Sequence, residues 1–394
     1  MLHALFVVLF TIPIVLIVGF ICAFFYGYLC PHRVQPKSVP APPRFTTVTQ
    51  DEVAVLIACH NGEATIGSAV AAALENGVPV FVVSDASTDG TVARAQEAGA
   101  TVLELTVNVG KPAALHTAYE HFDLSAQYRA ITILDDDVII APDFVVQSRA
   151  MLTEEVAIAV GHNVTWWPHE RRWNAWLAAR AYSYWFYQLA IRRIQSAANV
   201  MNCISGSNSL YRTELLDQVL PERPPYIVDD TYWVLETHRR KLGRVVYAPK
   251  ANALLQDPTS FRDWYKQNLR WMWGTFQGII GHQVGRKATR FDAAYVLLML
   301  HWLIYVLSGP ATIWIMAASG VFNPMAVLIL LGGHGLWMVF AAIRLRRPRL
   351  VLFIPALVII DFIYRIILVH ALVKAIRQPR VERCVWASPA RIAT

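Results

Sequence analysis

Three adjacent carboxylates, Asp135, Asp136 and Asp137, follow a mostly apolar run at residues 130–134. In an extended segment the first and third side chains point the same way, so Asp135 and Asp137 can converge on one ion. Carboxylate oxygens suit Mg²⁺ or Mn²⁺, which can bridge phosphate oxygens. The alternative is an acidic turn with solvated charges, but three adjacent carboxylates repel one another. The pattern therefore predicts a divalent metal site on Asp135 and Asp137, with Asp136 turned aside.

Two later segments carry groups suited to a transfer onto a hydroxyl. Asp229 and Asp230 open a predicted helix, where one carboxylate could act as a general base. Helix capping is the alternative, and it is favoured when these two residues are considered alone. Gln267, Arg270 and Trp271 are spaced i, i+3, i+4 and can face one site together. Arg270 could pair with a diphosphate there, and Trp271 could stack on a sugar.

Three further features add binding groups. The run from Cys203 to Asn208 contains small residues that would let a bulky acceptor approach the backbone. Lys111 follows Gly110 and could bring positive charge to a phosphate or to a carboxylate of the site. Asp85 could accept a hydrogen bond from the imide of uracil.

An alternation of strands and helices is predicted to position these residues. Apolar runs at 53–58, 80–83 and 131–134 are typical of buried parallel strands, and stretches of helical length lie between them at 64–75 and 91–98. This order predicts an α/β domain with a mostly parallel sheet. Ligands bind beyond the carboxyl ends of such strands. The polar loops fall there, at 59–63, 84–90, 108–111 and 135–137.

Aromatic residues repeat at helical spacing along residues 261–280. The repeat predicts an amphipathic helix that lies at a membrane interface and carries Gln267 and Arg270 on its other face. A second aromatic stretch, at 173–191, is interpreted as an interfacial anchor only.

The ends of the chain are apolar, and 55% of all residues are hydrophobic. Residues 2–29, 293–318, 321–343 and 350–376 are each long enough to cross a bilayer. Asp361 and Arg365 interrupt the last of these spans and lie four residues apart, so they can pair on one helix face. A structural ion pair is favoured there over part of a conduit.

The net charge of +7 comes largely from basic residues that flank the apolar segments. The positive-inside rule places Arg33, Lys37 and the cluster at 344–347 in the cytoplasm. A third C-terminal span would export the basic tail, so the topology of that span stays open. No basic stripe interleaved with aromatics suggests a nucleic-acid partner. The five scattered cysteines argue against disulfides or a zinc site and suit a reducing cytosol.

These patterns predict six segments. They are an N-terminal transmembrane helix (1–30), a Pro-rich linker (31–50), a cytosolic domain (51–258), an amphipathic interfacial helix (259–290), C-terminal transmembrane helices (291–376) and a basic tail (377–394).

The order of the motifs resembles that of the membrane-integrated, processive family 2 glycosyltransferases. These are the hyaluronan, chitin, cellulose and poly-N-acetylglucosamine synthases and the Nod-factor chitooligosaccharide synthases. The similarity runs from about Val53 to Trp273. The resemblance implies a GT-A type nucleotide-sugar-binding domain, a Mg²⁺ or Mn²⁺ ion and a UDP-sugar donor, UDP-GlcNAc or UDP-glucose. It also implies inverting transfer that extends a β-linked glycan at the plasma (inner) membrane, with the catalytic domain in the cytoplasm.

The resemblance assigns a role to each matching position. The catalytic base is Asp230, and the metal ligands are Asp135 and Asp137. The acceptor-binding residues are Cys203, Ser205, Gly206, Ser207 and Trp271. The donor-binding residues are His60, Asn61, Glu63, Asp85, Lys111, Asp135, Gln267, Arg270 and Trp271. His60 departs from the family pattern, which has a tyrosine that packs on the base.

Two other functions stay open at this point. One is the transfer of a single sugar to a lipid acceptor, such as a polyprenyl phosphate. The other is a transporter or structural membrane protein with a degenerate soluble domain, which would release no UDP from any donor. With only four predicted spans, a closed conduit for a long polymer is not assured, and the oligomeric state is left open.

Overall fold

The computed structural model describes residues 44–318 and 335–381. The predicted N-terminal span, most of the Pro-rich linker and the basic tail from residue 382 lie outside the described residues. So does the first part of the span predicted at 321–343.

One sheet of eight strands organises the described chain. In chain order the strands are β1 (Val53–Cys59), β2 (Val80–Asp85), β3 (Thr101–Leu105), β4 (Ala130–Asp135), β5 (Val138–Ile140), β6 (Val156–Thr165), β7 (Asn208–Arg212) and β8 (Arg244–Leu255). Their spatial order is β3-β2-β1-β4-β7-β6-β8-β5. Strands β1 to β4 are parallel, as predicted. The sheet is mixed overall, because β7 runs antiparallel between β4 and β6, and β5 runs antiparallel to β8.

The continuous apolar runs form strands because both faces of the sheet are covered. Leu56 and Ala58 of β1 belong to one buried cluster, whereas Val55 and Ile57 belong to a second cluster on the opposite face. A strand covered on both sides needs no polar face. This explains why β1 and β2 are fully buried along their whole lengths.

Thirteen α-helices occur in the described chain. They are α1 (Ile66–Leu74), α2 (Thr91–Glu97), α3 (Lys111–His121), α4 (Leu124–Gln127), α5 (Phe144–Arg149), α6 (Ala175–Phe186), α7 (Arg193–Ala198), α8 (Thr213–Val219), α9 (Asp229–Arg240), α10 (Phe261–Gly281), α11 (Arg290–Ala318), α12 (Gly335–Arg344) and α13 (Ile354–Arg377). Helices α1 and α2 confirm the two helical stretches predicted between the first three strands.

A π-helical segment, Tyr187–Arg192, joins α6 to α7. Its Gln188 side chain accepts a hydrogen bond from the Asn163 amide at 2.6 Å and donates one to the Asn163 carbonyl at 2.9 Å. It thus pairs with β6 as a neighbouring strand would. Helices with this wider turn are rare and frequently occur at functional sites.

Helix α10 lies against the start of α9 in unusually close contact. A β-carbon on Gly274 would lie 2.5 Å from Cγ2 of Val228, and one on Gly278 would lie 2.5 Å from Cδ1 of Leu235. A side chain at Gly274 would also meet the backbone nitrogen of Val228 at 3.2 Å, whereas one at Gly278 would require the side chains of Leu235 and Thr231 to move. Glycine therefore sets how near the two helices lie.

Two helical stretches, Arg290–Ala311 and Pro348–Arg377, are long and apolar enough to cross a membrane. Arg365 forms an ion pair with Asp361 four residues away, as predicted. The hydroxyl of Tyr305 on α11 donates to the same carboxylate at 2.6 Å. The pair therefore joins α13 to α11, in agreement with a structural role.

Candidate active site

A cavity of about 680 Å³ lies beyond the carboxyl end of β4 and is walled by α6, α10, α11 and α13. Eleven of the predicted site residues line it. They are Lys111, Asp135, Asp137, Cys203, Ser205, Gly206, Ser207, Asp230, Gln267, Arg270 and Trp271. The fold thus brings the acidic run, the small-residue loop, the start of α9 and the α10 motif to one place.

Asp85, one of the predicted donor-binding residues, is fully buried and does not line this cavity. Its carboxylate accepts hydrogen bonds from the amides of Val109 at 2.7 Å and Gly110 at 2.8 Å. These two bonds fix the loop that leads directly into Lys111. In the structure, Asp85 therefore shapes the approach to the lysine.

His60, Asn61 and Glu63 likewise lie outside the cavity lining. Asn61 accepts a hydrogen bond from the Thr88 amide at 2.8 Å, and Glu63 accepts one from the Gly90 amide at 3.1 Å. A His60 ring nitrogen lies 2.7 Å from the carbonyl oxygen of Asp85. These bonds join the loop after β1 to the loop after β2.

The acidic run shows the alternation expected of an extended segment. Asp136 is fully buried and accepts a hydrogen bond from the thiol of Cys59, whereas Asp135 and Asp137 line the cavity. Within residues 44–318 and 335–381, no three His, Cys, Asp or Glu side chains are grouped to hold a metal by themselves. Two carboxylates on one cavity wall nevertheless fit a hard divalent ion that takes its other ligands from a diphosphate and water.

Lys111 lies between the acidic run and the small-residue loop. Its ammonium forms an ion pair with Asp135 and donates to the carbonyl of Gly206 at 3.3 Å. Burial alone would lower the pKa of Lys111, but the charges of Asp135, Asp229 and Asp230 outweigh it and hold the pKa above its usual value. The lysine therefore stays charged near neutral pH.

Asp230 lies in the first turn of α9, and its carboxylate accepts a hydrogen bond from the Gly206 amide at 3.1 Å. The residue at the N-cap position is Val228, and no side chain caps this helix end. Burial, reinforced by the charge of Asp229, raises the pKa of Asp230 to about 7 despite the opposing effects of Gly206, Lys111 and Arg270. A carboxylate with this pKa suits proton transfer near neutrality, and capping does not explain it.

One charged residue of the site, Arg180 on α6, was missed by sequence reasoning. Its guanidinium donates to Gln267 at 2.5 Å and lies 4.6 Å from the centre of the Trp271 ring. Its Nε lies 3.2 Å from a carboxylate oxygen of Asp257, and the two side chains are only 4% and 1% exposed. Arg180 therefore holds two of the three α10 motif residues in place.

Asp257, the partner of Arg180, was missed as well. Burial raises the pKa of Asp257 to about 6, although Arg180 opposes the shift. Asp257 follows the end of β8 by two residues, so it is another acid at a strand end. That signal is visible in the sequence, but the interpretation of the aromatic stretch at 173–191 as an anchor only gives Asp257 no partner.

Residues 50–274, more than half of the chain, match the sequence profile of the family described as "Glycosyltransferase like family 2". The chain is a family 2 glycosyltransferase. Hyaluronan synthase 3 from Homo sapiens is 27% identical over 172 residues, which are 41% of this chain and 30% of that protein. The poly-beta-1,6-N-acetyl-D-glucosamine synthase of Staphylococcus epidermidis is 24% identical over 259 residues, 62% of this chain and 60% of that protein. The chain thus spans about a third of the hyaluronan synthases it matches.

Among solved structures, this glycosyltransferase is similar to a mannosyltransferase from Pyrobaculum calidifontis in complex with GDP-Man and Mn²⁺. The two share 21% identity with a TM-score of 0.61, over 93% of this chain and 99% of the other. The likeness shows a shared fold that extends beyond the catalytic domain. The predicted GT-A fold is confirmed, with a mixed sheet.

Proposed function

We propose that this enzyme transfers a sugar from a UDP-sugar, UDP-GlcNAc or UDP-glucose, to a glycan acceptor with inversion at the anomeric carbon. The supporting observation is that Asp230, with its raised pKa, lies in one cavity with Lys111, Arg270 and the two cavity-facing carboxylates of the acidic run. A proton acceptor and a set of charged groups for a diphosphate are both present, as a direct displacement requires.

Asp230 takes the proton from the attacking hydroxyl of the acceptor. The hydroxyl oxygen forms the new bond to the anomeric carbon while the bond to the donor diphosphate breaks and UDP leaves. Gly206 approaches Asp230 closely, since a β-carbon there would lie 3.0 Å from the carboxylate oxygen. A glycine at this position leaves room for the acceptor beside the base.

Negative charge develops on the departing UDP, and cations in a water-poor site stabilise it most effectively. Lys111 and Arg270, which both line the cavity, supply this charge. A divalent ion held by Asp135 and Asp137 would add Lewis-acid stabilisation of the same leaving group. Arg180 keeps Gln267 and Trp271 in position. Arg270 can therefore bind the diphosphate.

We further propose that the enzyme is integral to the plasma (inner) membrane, with its catalytic domain in the cytoplasm. Support comes from the basic cluster that follows α12. The guanidinium of Arg347 lies 5.1 Å from the Trp167 ring, and that of Arg349 lies 5.6 Å from the Trp173 ring. A basic cluster that contacts the catalytic domain lies on the same side of the membrane as that domain. Because basic clusters next to membrane spans stay in the cytoplasm, the catalytic domain is expected there too.

Transfer of one sugar to a lipid is a second candidate function. The observation that favours it is the apolar part of the cavity wall, to which Leu298 and Trp302 of α11 and Leu357 and Ile360 of α13 contribute. These residues belong to the two candidate membrane spans. A lipid acceptor could therefore reach Asp230 from the membrane side.

A donor screen on the purified full chain tests these proposals. Release of UDP or GDP is measured with UDP-GlcNAc, UDP-glucose and GDP-Man, with and without Mn²⁺, and products are weighed by mass spectrometry. Asp230→Asn should abolish transfer, whereas the matched change Asp143→Asn, at an exposed carboxylate outside the cavity lining, should not. A ladder of products supports glycan extension, and one lipid-linked sugar supports the second candidate. No nucleotide release from any donor would contradict both.

A further inference from the structure

The cavity lining contains a buried arginine that the proposed chemistry does not use. Arg192, the last residue of the π-helical segment, is 3% exposed and lines the cavity. In the described parts of the chain it has no carboxylate partner within ion-pair distance. Arg180, on the preceding helix, is by contrast paired with Asp257.

The hydrogen bonds of Arg192 are few and long. One Nη atom donates to the carbonyl of Gly161 at 3.3 Å and to Gln188 at 3.4 Å, while Nε has no hydrogen-bond partner among the described residues. The Tyr187 ring lies 5.4 Å away and offers only a weak cation–π contact. A guanidinium buried without a counter-ion is costly, and pairing with an anion offsets that cost.

A second unsatisfied polar atom lies one turn further along the same stretch. The side-chain oxygen of Gln195 is buried without a hydrogen-bond partner in the described chain, and Gln195 also lines the cavity. A ligand that meets both residues would carry an anionic group for Arg192 and a hydroxyl or other donor for Gln195.

The position of Arg192 relates it to the acceptor. Burial raises the pKa of the Cys203 thiol; the charge of Asp230 raises it further, and Arg192 lowers it. The geometry agrees, because the Arg192 guanidinium lies 5.4 Å from the Tyr187 ring and the hydroxyl of Tyr187 donates at 3.2 Å to Asn202, which directly precedes Cys203. The same cavity has an apolar wall formed by residues of α11 and α13.

We propose that Arg192 binds an anionic oxyacid group, a phosphate or a carboxylate, of the acceptor. This inference rests on the proposed transfer to a hydroxyl at Asp230 and names the acceptor's chemical class. Arginine matches both anions because its planar fork can donate two parallel hydrogen bonds. The anion would come either from a lipid phosphate, whose chain follows the apolar wall, or from an acidic sugar of the glycan.

Equilibrium binding to the full chain in neutral detergent tests this without any transfer reaction. Tryptophan fluorescence reports binding, because Trp271 and Trp302 line the cavity. Geranyl phosphate is compared with geraniol, and methyl glucuronide with methyl glucoside. The variants are Arg192→Gln, Arg192→Lys and the control Arg193→Gln, which changes the neighbouring arginine outside the cavity lining.

We expect Arg192→Gln to weaken one of the two anions by about 10- to 100-fold, because a charge-assisted hydrogen bond is lost. Its neutral counterpart should bind unchanged, Arg193→Gln should match the unmodified protein, and Arg192→Lys should lie between. Whether binding of the phosphate or of the carboxylate is weakened shows whether the anion belongs to a lipid or to an acidic sugar.

If the unmodified protein binds neither anion better than its neutral counterpart, or if Arg192→Gln weakens the binding of both members of a pair equally, the assignment is wrong. If Arg192→Gln does not fold, the affinity of Arg192→Lys for the anions and the preference of the unmodified protein for each anion over its neutral counterpart test the assignment instead. Failure of the donor screen alongside intact anion binding would instead refute only the transferase proposal.

Discussion

Replacing Asp230 by asparagine should make the enzyme inactive and, at alkaline pH, more stable. Asparagine keeps an oxygen that can accept the Gly206 amide, which now donates to Asp230 at 3.1 Å. It removes the negative charge that burial and Asp229 both disfavour. Function and stability are therefore expected to change in opposite directions.

The size of the stability gain follows from the pKa of Asp230, which is about 7 in the folded chain against an ordinary value of 3.8. Because the pKa of this carboxyl is higher in the folded chain than in the unfolded chain, its contribution to the free energy of unfolding is fully present below pH 3.8. That contribution is lost as pH rises through about 7. Each pH unit in this window is worth about 1.4 kcal/mol. Between pH 5.5 and pH 8.5 the unmodified protein should lose about 2 kcal/mol that the asparagine variant keeps. For a domain of this size that difference is roughly 4–8 °C in Tm.

The assay is thermal unfolding of both proteins in one detergent at pH 5.5, 7.0 and 8.5, beside nucleotide release with the best donor. The Tm of Asp230→Asn minus that of the unmodified protein should grow with pH. Turnover should fall by about 100- to 10,000-fold, as expected when a general base is removed. A Tm difference that is the same at all three pH values would refute the raised pKa of Asp230, because the buried charge would then not destabilise the folded chain. Asp143→Asn, which removes an exposed carboxylate, controls for the loss of a charge as such.

Three further predictions concern the groups around the base. Asp229→Asn removes a charge that raises the pKa of Asp230. The acidic limb of the pH profile of kcat/KM should therefore move to lower pH. An unmoved limb would contradict the effect of Asp229 on Asp230. Arg180→Met leaves Asp257 buried without its ion-pair partner, so the free energy of unfolding should fall by about 3–5 kcal/mol. The double variant Arg180→Met/Asp257→Leu should recover stability in a melting assay but not turnover, because Gln267 still loses its hydrogen-bond donor. Recovery of turnover in the double variant would exclude the positioning role of Arg180. Chelation of divalent ions should abolish nucleotide release, and added Mn²⁺ should restore it; full activity in chelator would argue against a metal on Asp135.

The sequence predicts the first half of the fold well because local signals determine it. Strand β4 ends at Asp135, and the side-chain alternation that follows separates Asp136 from Asp135 and Asp137 as expected. The start of α9 at Asp229 was also predicted. Short apolar runs followed by polar loops depend on neighbours in the chain, so their pattern is visible without the fold.

The second half depends on contacts between distant residues. Strand β7 pairs with β4 in antiparallel register, with Ala130 opposite Arg212, and nothing local in either segment specifies this partner. The hydrogen bond from Arg180 to Gln267 and its ion pair with Asp257 likewise join residues about 80 positions apart. The π-helical segment escaped prediction because its aromatic spacing is that of an ordinary amphipathic helix.

The surroundings of the strand-end acids differ in a way that motif position alone does not predict. Asp85 and Asp135 both close buried parallel strands, yet the first is fully buried with its oxygens bonded to backbone amides and the second lines the cavity. The difference arises from the loop at 108–110, which covers one strand end and leaves the other open. A loop's path over a neighbouring strand cannot be inferred from the strand itself.

The glycine contacts between α9 and α10 bear on how such enzymes could be recombined. Because Gly274 and Gly278 fit directly against Val228 and Leu235, Asp230 and Arg270, the proposed base and the proposed diphosphate-binding cation, belong to one tightly packed unit. A chimera that takes α9 from one homologue and α10 from another would have to match both surfaces at once. Crossovers placed before residue 225 and after residue 285 would keep this unit whole. Acceptor preference could then be exchanged through the α6 and π-helical wall, with the spacing of base and cation unchanged.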